Sequence, residues 1–129
     1  MTKAREAALE ILRNADEPQT AAAVFQQAGN SCDLATVYRT LHYLEKHGYA
    51  ESFVLYCNEH GTERYYTALS SGNSGSSAHR HWFHCEGCHR FIEIGNCTVN
   101  SLAKEFEIEH NLSVSRHILY FIGRCSDCR

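Results

Sequence analysis

The sequence predicts an α+β protein of two small domains: helices closed by a hairpin, then a compact α/β domain stapled by four cysteines. Three observations predict it. Three amphipathic helical patterns precede two aromatic-rich strand patterns in the first half. Nine small or polar residues, Ser70-Ser-Gly-Asn-Ser-Gly-Ser-Ser-Ala78, have the composition of a flexible linker. Two Cys-x-x-Cys pairs lie beyond it, Cys85/Cys88 and Cys125/Cys128. The domains read as 1–68 and 79–129, joined by a hinge at 69–78.

Residues 3–14 place Ala4, Ala8, Ile11 and Leu12 on one helical face, with Thr2 as N-cap. Residues 20–28 make a short Ala-rich helix capped by Thr20, just after Pro18. The third helix starts at the N-cap Asp33 and presents Leu34, Val37, Leu41 and Leu44 as one apolar stripe. It stops at Gly48 in the C′ position. Residues 49–56 and 63–67 flank Asn58-Glu-His-Gly61 as the arms of a hairpin. This is the element order of a winged helix-turn-helix, and equally of a generic α+β mini-domain; element order does not choose between them.

Beyond the linker, 90–94 reads as a strand and 98–109 as a helix with Val99, Leu102, Ala103 and Phe106 on one face. Residues 113–122 read as a strand, Val114, Ile118, Tyr120 and Ile122 alternating with His117, Leu119 and Phe121. A sheet this small with apolar residues on both faces calls for a second copy, and a twofold homodimer is the expected solution.

Composition narrows the chemistry. The 129 residues hold seven Cys and nine His against one Pro, one Met and one Trp. Five of those Cys and six of the His fall in 79–129, so metal or redox chemistry is expected there rather than a disulfide framework. No apolar run reaches the roughly 18 residues of a membrane span, and the N-terminus lacks a signal-peptide core. A cytoplasmic protein without a membrane partner is expected. The net charge of −3 lies wholly in the first half, where residues 1–66 carry 6 basic and 9 acidic groups against 6 and 6 in the remainder. Overall charge therefore gives no support to nucleic-acid binding, which has to rest on local geometry. No Ser/His/Asp order, phosphate loop or catalytic carboxylate pair is present, so neither an enzyme nor a small-molecule substrate is expected.

Each Cys-x-x-Cys pair can place two thiolates on one tetrahedral ion from a tight knuckle. Four thiolates, Cys85, Cys88, Cys125 and Cys128, complete a closed structural zinc site. An iron–sulfur centre is chemically open as well. Such a site supplies folding free energy that a 51-residue domain lacks.

On the third helix, the face opposite the apolar stripe carries Thr36, Arg39, Tyr43 and Lys46, with Tyr38 at its border. These types suit a major groove: guanidinium for phosphate or guanine, hydroxyl for phosphate, aromatic edge for a thymine methyl. An ordinary solvated helix face has the same composition.

Asp33-Leu-Ala-Thr-Val-Tyr-Arg-Thr-Leu41, with Leu44 and His47-Gly-Tyr after it, closely resembles the recognition helix of the ferric-uptake-regulator (Fur) family of dimeric, metal-responsive bacterial transcription factors. The resemblance runs from Thr2 to Cys128 and includes the ending Gly123-x-Cys125-x-x-Cys128. It implies that Tyr38 and Arg39 contact bases and phosphates, that Thr36 supports them, and that Arg5 meets the DNA backbone. The family's extra N-terminal helix, with its minor-groove basic residue, has no counterpart here. Weaker, more salt-sensitive DNA binding is the expected consequence.

His79 and His81, two apart on a strand, share a side with Cα atoms about 7 Å apart and can ligate one ion. The resemblance adds His117 as a third ligand of one family metal site, whose fourth, a carboxylate, falls at Asn100. Cys97 and Glu105 are the candidate substitutes, and a Cys ligand favours zinc. The family's other sensing site departs further. Its positions hold Arg80, Trp82, Tyr66 and Pro18 or Gln19, so iron-type coordination and peroxide sensing lose support. Cys57, His60, His84 and His89 could form an alternative cluster, though structural or surface roles suit each. Cys32 reads as a turn residue.

The expectation is a homodimeric repressor that binds a palindromic double-stranded operator and holds one structural Zn2+. A second, regulatory divalent metal, Zn2+ first with Fe2+ or Mn2+ behind, controls its operator affinity by fixing the angle between the two winged helices. The alternatives are a thiol or peroxide redox sensor, in which oxidation of a Cys pair ejects zinc, and a zinc-stapled protein-interaction module that binds no DNA.

Overall fold

The computed structural model describes residues 1–29, 32–69, 80–95 and 97–129. It divides into two compact units, Met1–Ser71 and Gly72–Arg129. From residue 70 on, the linker expected at 69–78 lies outside the described residues, as does His79.

In the first unit, α1 (Lys3–Asn14), α2 (Ala21–Ala28) and α3 (Leu34–Lys46) are followed by β1 (Ala50–Cys57) and β2 (Gly61–Ala68). Each helix starts where a short polar side chain satisfies an orphan backbone N–H. Thr2 Oγ1 accepts from the Arg5 N–H at 3.3 Å, Thr20 Oγ1 from Ala23 at 3.1 Å and Asp33 Oδ1 from Thr36 at 2.8 Å. Gly48, at φ +81°, turns the chain out of α3 into the hairpin. The two strands pair antiparallel from Ala50↔Ala68 to Cys57↔Gly61. Gln19 adds a further rung, exchanging both backbone hydrogen bonds with Tyr66 at 2.8 and 2.9 Å.

The core of this unit joins Ala8, Leu9, Leu12, Ala21, Val24, Val37, Leu41, Leu44 and the hairpin's Ala50, Tyr66 and Ala68. Two expectations shift. The packed face of α3 runs through Val37, Thr40, Leu41 and Leu44, so Leu34, one turn ahead, sits at its end and is 39% exposed. On α1 the buried set is Ala8, Leu9 and Leu12, with Ala4 and Ile11 at the flanks.

The second unit comprises β3 (Trp82–Cys85), β4 (Phe91–Glu93), α4 (Val99–His110) and β5 (Tyr120–Gly123). The sheet order is β4-β3-β5, antiparallel on one side of β3 and parallel on the other. The strand expected over 113–122 contracts to Tyr120–Gly123. Among the described residues, β3 pairs with those four positions, and the preceding alternating stretch meets no further strand. The helix expected over 98–109 forms, yet none of its residues is buried: Leu102 and Phe106 are about half exposed, and Ile108 is 84% exposed. Asn111 closes α4 in the left-handed conformation.

Candidate metal centres and nucleic-acid interface

Cys85 and Cys88 flank the tight turn between β3 and β4, and Cys125 and Cys128 flank the turn after β5. The parallel pairing of β3 with β5, Cys85 opposite Gly123, brings the two turns together. The four sulfurs all lie within 4.8 Å of one another. Cys88 Sγ and Cys125 Sγ are 3.8 Å apart, against about 3.8 Å for the edge of a tetrahedron with Zn–S bonds of about 2.3 Å.

Backbone N–H groups lower two of these thiols, Cys85 and Cys125. The N–H groups of Gly87, Cys88 and Cys125 donate to Cys85 Sγ at 3.3, 3.4 and 3.4 Å, and the donors, Cys88 foremost, pull its thiol down to about 5. Burial and the Cys85 contact push the Cys125 thiol up, but the Asp127 N–H and the Cys128 and Cys88 thiols outweigh them and leave it lowered. Cys128, which hydrogen-bonds to Cys125 and Cys85, is pushed up to about 12 and keeps the proton. A cation that displaces the remaining thiol protons completes a four-thiolate donor set, so these residues fit a closed zinc site.

A second cluster gathers three of the five expected regulatory residues. His81 stands before β3, Cys97 before α4 and His117 before β5. His81 Nε2 lies 3.2 Å from Cys97 Sγ and 3.0 Å from His117 Nε2, and the latter two atoms are 3.3 Å apart. His81 is 5% exposed, and its Nδ1 is 3.0 Å from the Leu119 carbonyl oxygen. Glu105 does not join them: it lies exposed on α4, and its carboxylate is not among the clustered donors. His79 lies outside the described residues.

The remaining His and Cys side chains have other surroundings. His84 is buried, its ring 4.6 Å from Phe91 and 5.7 Å from His89 between centroids. Cys57 Sγ lies 3.8 Å from His60 Nδ1 at the hairpin tip, and Cys32 packs against the first unit's core. At the positions where the resemblance puts further metal ligands, the structure shows other contacts. Tyr66 and Gln19 form the extra rung, and Arg80 pairs with Glu93 at 3.6 Å and lies 5.2 Å from the centroid of the buried Trp82 ring.

The outer side of α3 carries an ordered polar pair. Arg39 Nη2 donates to Thr36 Oγ1 at 3.1 Å, and Tyr38 is 54% exposed beside them. Hydrogen bonds from Thr36 hold the Asp33 carboxyl below its usual value. Tyr43 leaves the expected outer face: it packs on the core and supports the Arg5 guanidinium, 3.5 Å above its ring. Sequence reasoning missed Arg64 on the wing. Its Nη1 donates to Ser52 Oγ at 2.9 Å, and Ser52 donates to Glu45 Oε2 at 2.7 Å. The signal is the diagonal of Ser52 with the rung Val54↔Arg64, legible only once the hairpin register is known.

A three-helix unit with a hairpin wing, followed by a small α/β unit carrying a four-thiol cluster, has the build of a metal-responsive transcription regulator. The chain belongs to the ferric uptake regulator family, whose model matches residues 1–122. It is 28% identical to the zinc uptake regulation protein of Mycobacterium tuberculosis over 139 aligned positions, covering 99% of this chain and 93% of the relative. To the ferric uptake regulation protein of Campylobacter upsaliensis it is 27% identical, covering 98% and 78%. The crystal structure of the Vibrio cholerae ferric uptake regulator, whose DNA-binding domains are described as rearranging, shares the fold with a TM-score of 0.69. Its identity is 23%, covering 97% of this chain and 91% of that one. No described helix is long and apolar enough to cross a membrane.

Proposed function

We propose that this chain is a homodimeric, sequence-specific repressor of the cytoplasm, not an enzyme, whose affinity for a palindromic operator is set by a bound metal ion. The observation that carries the DNA half is the Thr36–Tyr38–Arg39 surface, presented on a capped helix whose opposite face is locked into the core. Arg39 serves phosphate or guanine, Tyr38 a base edge, and Arg5, stacked on Tyr43, the backbone beside them. This local basic and aromatic surface acts despite the acidic first half, because phosphate contacts are made at short range.

Cys85, Cys88, Cys125 and Cys128 would hold a structural zinc, which supplies folding free energy and leaves no open position for chemistry. The second cluster would hold the regulatory ion, zinc first with iron or manganese behind. Its three donors come from three separate chain segments, so closing them on one ion orders the connections around the sheet. The unburied α4 and the exposed Ile118, Phe121 and Ile122 supply the apolar surface for a second copy of the chain.

The test is operator binding by gel shift, with and without added metal, for the wild-type protein, Arg39→Ala and Tyr38→Phe. Loss of a groove contact costs about 1–3 kcal/mol, so each variant should bind roughly 5- to 150-fold more weakly while dimer and zinc content stay unchanged. Full operator affinity in both variants would remove α3 from the role given to it.

A further inference from the structure

We propose that Cys97 is the third ligand of the second site, and that its thiolate makes the site thiophilic, taking zinc(II) and copper(I) in preference to iron(II) and manganese(II). The inference rests on the metal-responsive reading above and names the class of ion that reaches the switch.

The geometry fixes the donors one by one. A backbone carbonyl only accepts, so the Leu119 oxygen 3.0 Å from His81 Nδ1 requires the ring proton on Nδ1. That leaves the lone pair on Nε2, the tautomer in which a histidine ligates through Nε2 while its other nitrogen is anchored. The lone pair faces Cys97 Sγ at 3.2 Å and His117 Nε2 at 3.0 Å, and those two atoms are 3.3 Å apart. A tetrahedral ion with metal–nitrogen bonds of about 2.05 Å and a metal–sulfur bond of about 2.3 Å has donor edges of about 3.3–3.6 Å. The three donors therefore stand within about 0.4 Å of the separations such an ion requires.

Chemistry then selects the ion. Where the resemblance expects a carboxylate, the chain has the neutral Asn100, while the sulfur of Cys97 stands against both imidazoles. Carboxylate and water suit manganese, whereas thiolate and imidazole favour the zinc and copper end of the divalent series and monovalent copper. Exchanging an oxygen donor for sulfur thus moves selectivity away from the ions for which oxygen-rich sites are built.

Cobalt(II) added to the full-length protein is the test, with zinc at the four-cysteine site assayed before and after. The wild type should show a near-ultraviolet sulfur-to-cobalt charge-transfer band and one sulfur in the cobalt shell by X-ray absorption. Cys97→Ser should lose both, while Cys57→Ser keeps both. Zinc or copper(I) should displace the cobalt at least tenfold more readily than manganese, and Cys97→Ser should shrink that preference by at least tenfold. A cobalt shell of nitrogen and oxygen alone in the wild type, or a band that survives in Cys97→Ser, overturns the proposal. The wild-type absorption spectrum decides even where the variant fails to fold. If the sulfur signature stands while no metal alters operator binding, the ligand assignment holds and the regulatory reading falls.

Discussion

Among single residues, the ones that decide this protein's chemistry are held by backbone groups that the sequence does not display. Cys85 accepts three N–H groups, and the last donor, Cys125, is 40 residues away. Gly87 matters for a different reason. A Cβ there would stand 2.8 Å from Cys128 Sγ and 2.9 Å from Cys128 Cβ, closer than side-chain atoms approach. Gly87→Ala should therefore push the two knuckles apart and release zinc at a lower chelator concentration than the wild type. A zinc-release titration with a coloured chelator measures this, and unchanged release would show that the turns have room to yield. The spacing Cys-x-x-Cys was legible in the chain; the need for glycine between the cysteines was not, because the atom that collides belongs to the other pair.

For the elements, caps and periodicity carried most of the information in the first unit. Thr2, Thr20 and Asp33 cap the helices that the pattern assigned to them. Leu41 and Leu44 are both fully buried, and Leu41→Ala should cost about 2–5 kcal/mol in a denaturant titration. A loss below about 1 kcal/mol would mean that α1 and α2 close over the cavity. The second unit was less legible at this scale. The alternating stretch before β5 has strand chemistry but no ladder partner among the described residues, since pairing depends on what β3 offers and not on the stretch itself. α4 has an apolar stripe that its own unit leaves uncovered. Tyr43 shows the same limit on α3: its helical angle pointed outward, yet Arg5 from α1 lies over its ring and the core packs beneath it.

In the whole molecule, two small units carry different sources of stability. The first has one contiguous apolar core; among the described residues of the second, Trp82 and Phe91 are the buried large apolar side chains, so its four-thiol cluster is expected to supply more of its stability. Cys85→Ser should accordingly lose zinc and the aromatic circular dichroism of Trp82 while α1 to α3 keep most of their helical signal. A single cooperative loss of both would show that the units do not fold independently. Ile118, 66% exposed, belongs to the apolar surface assigned to the proposed homodimer, and Ile118→Glu should shift sedimentation from that dimer toward monomer. An unchanged dimer would place the interface elsewhere.

The sequence by itself determined the element order, the caps of α1 to α3, the two cysteine knuckles and the Thr36, Tyr38 and Arg39 part of the α3 surface. Each of these depends on neighbours within about four residues, where spacing and residue type are enough. Tertiary structure decided the rest. It chose Cys97 over Glu105 as the partner of His81 and His117, turned Tyr66 and Gln19 into a backbone rung, and set Arg64 against Ser52. Those contacts join residues 12 to 47 positions apart, and no local pattern encodes which of several chemically suitable side chains the packed sheet will bring within reach.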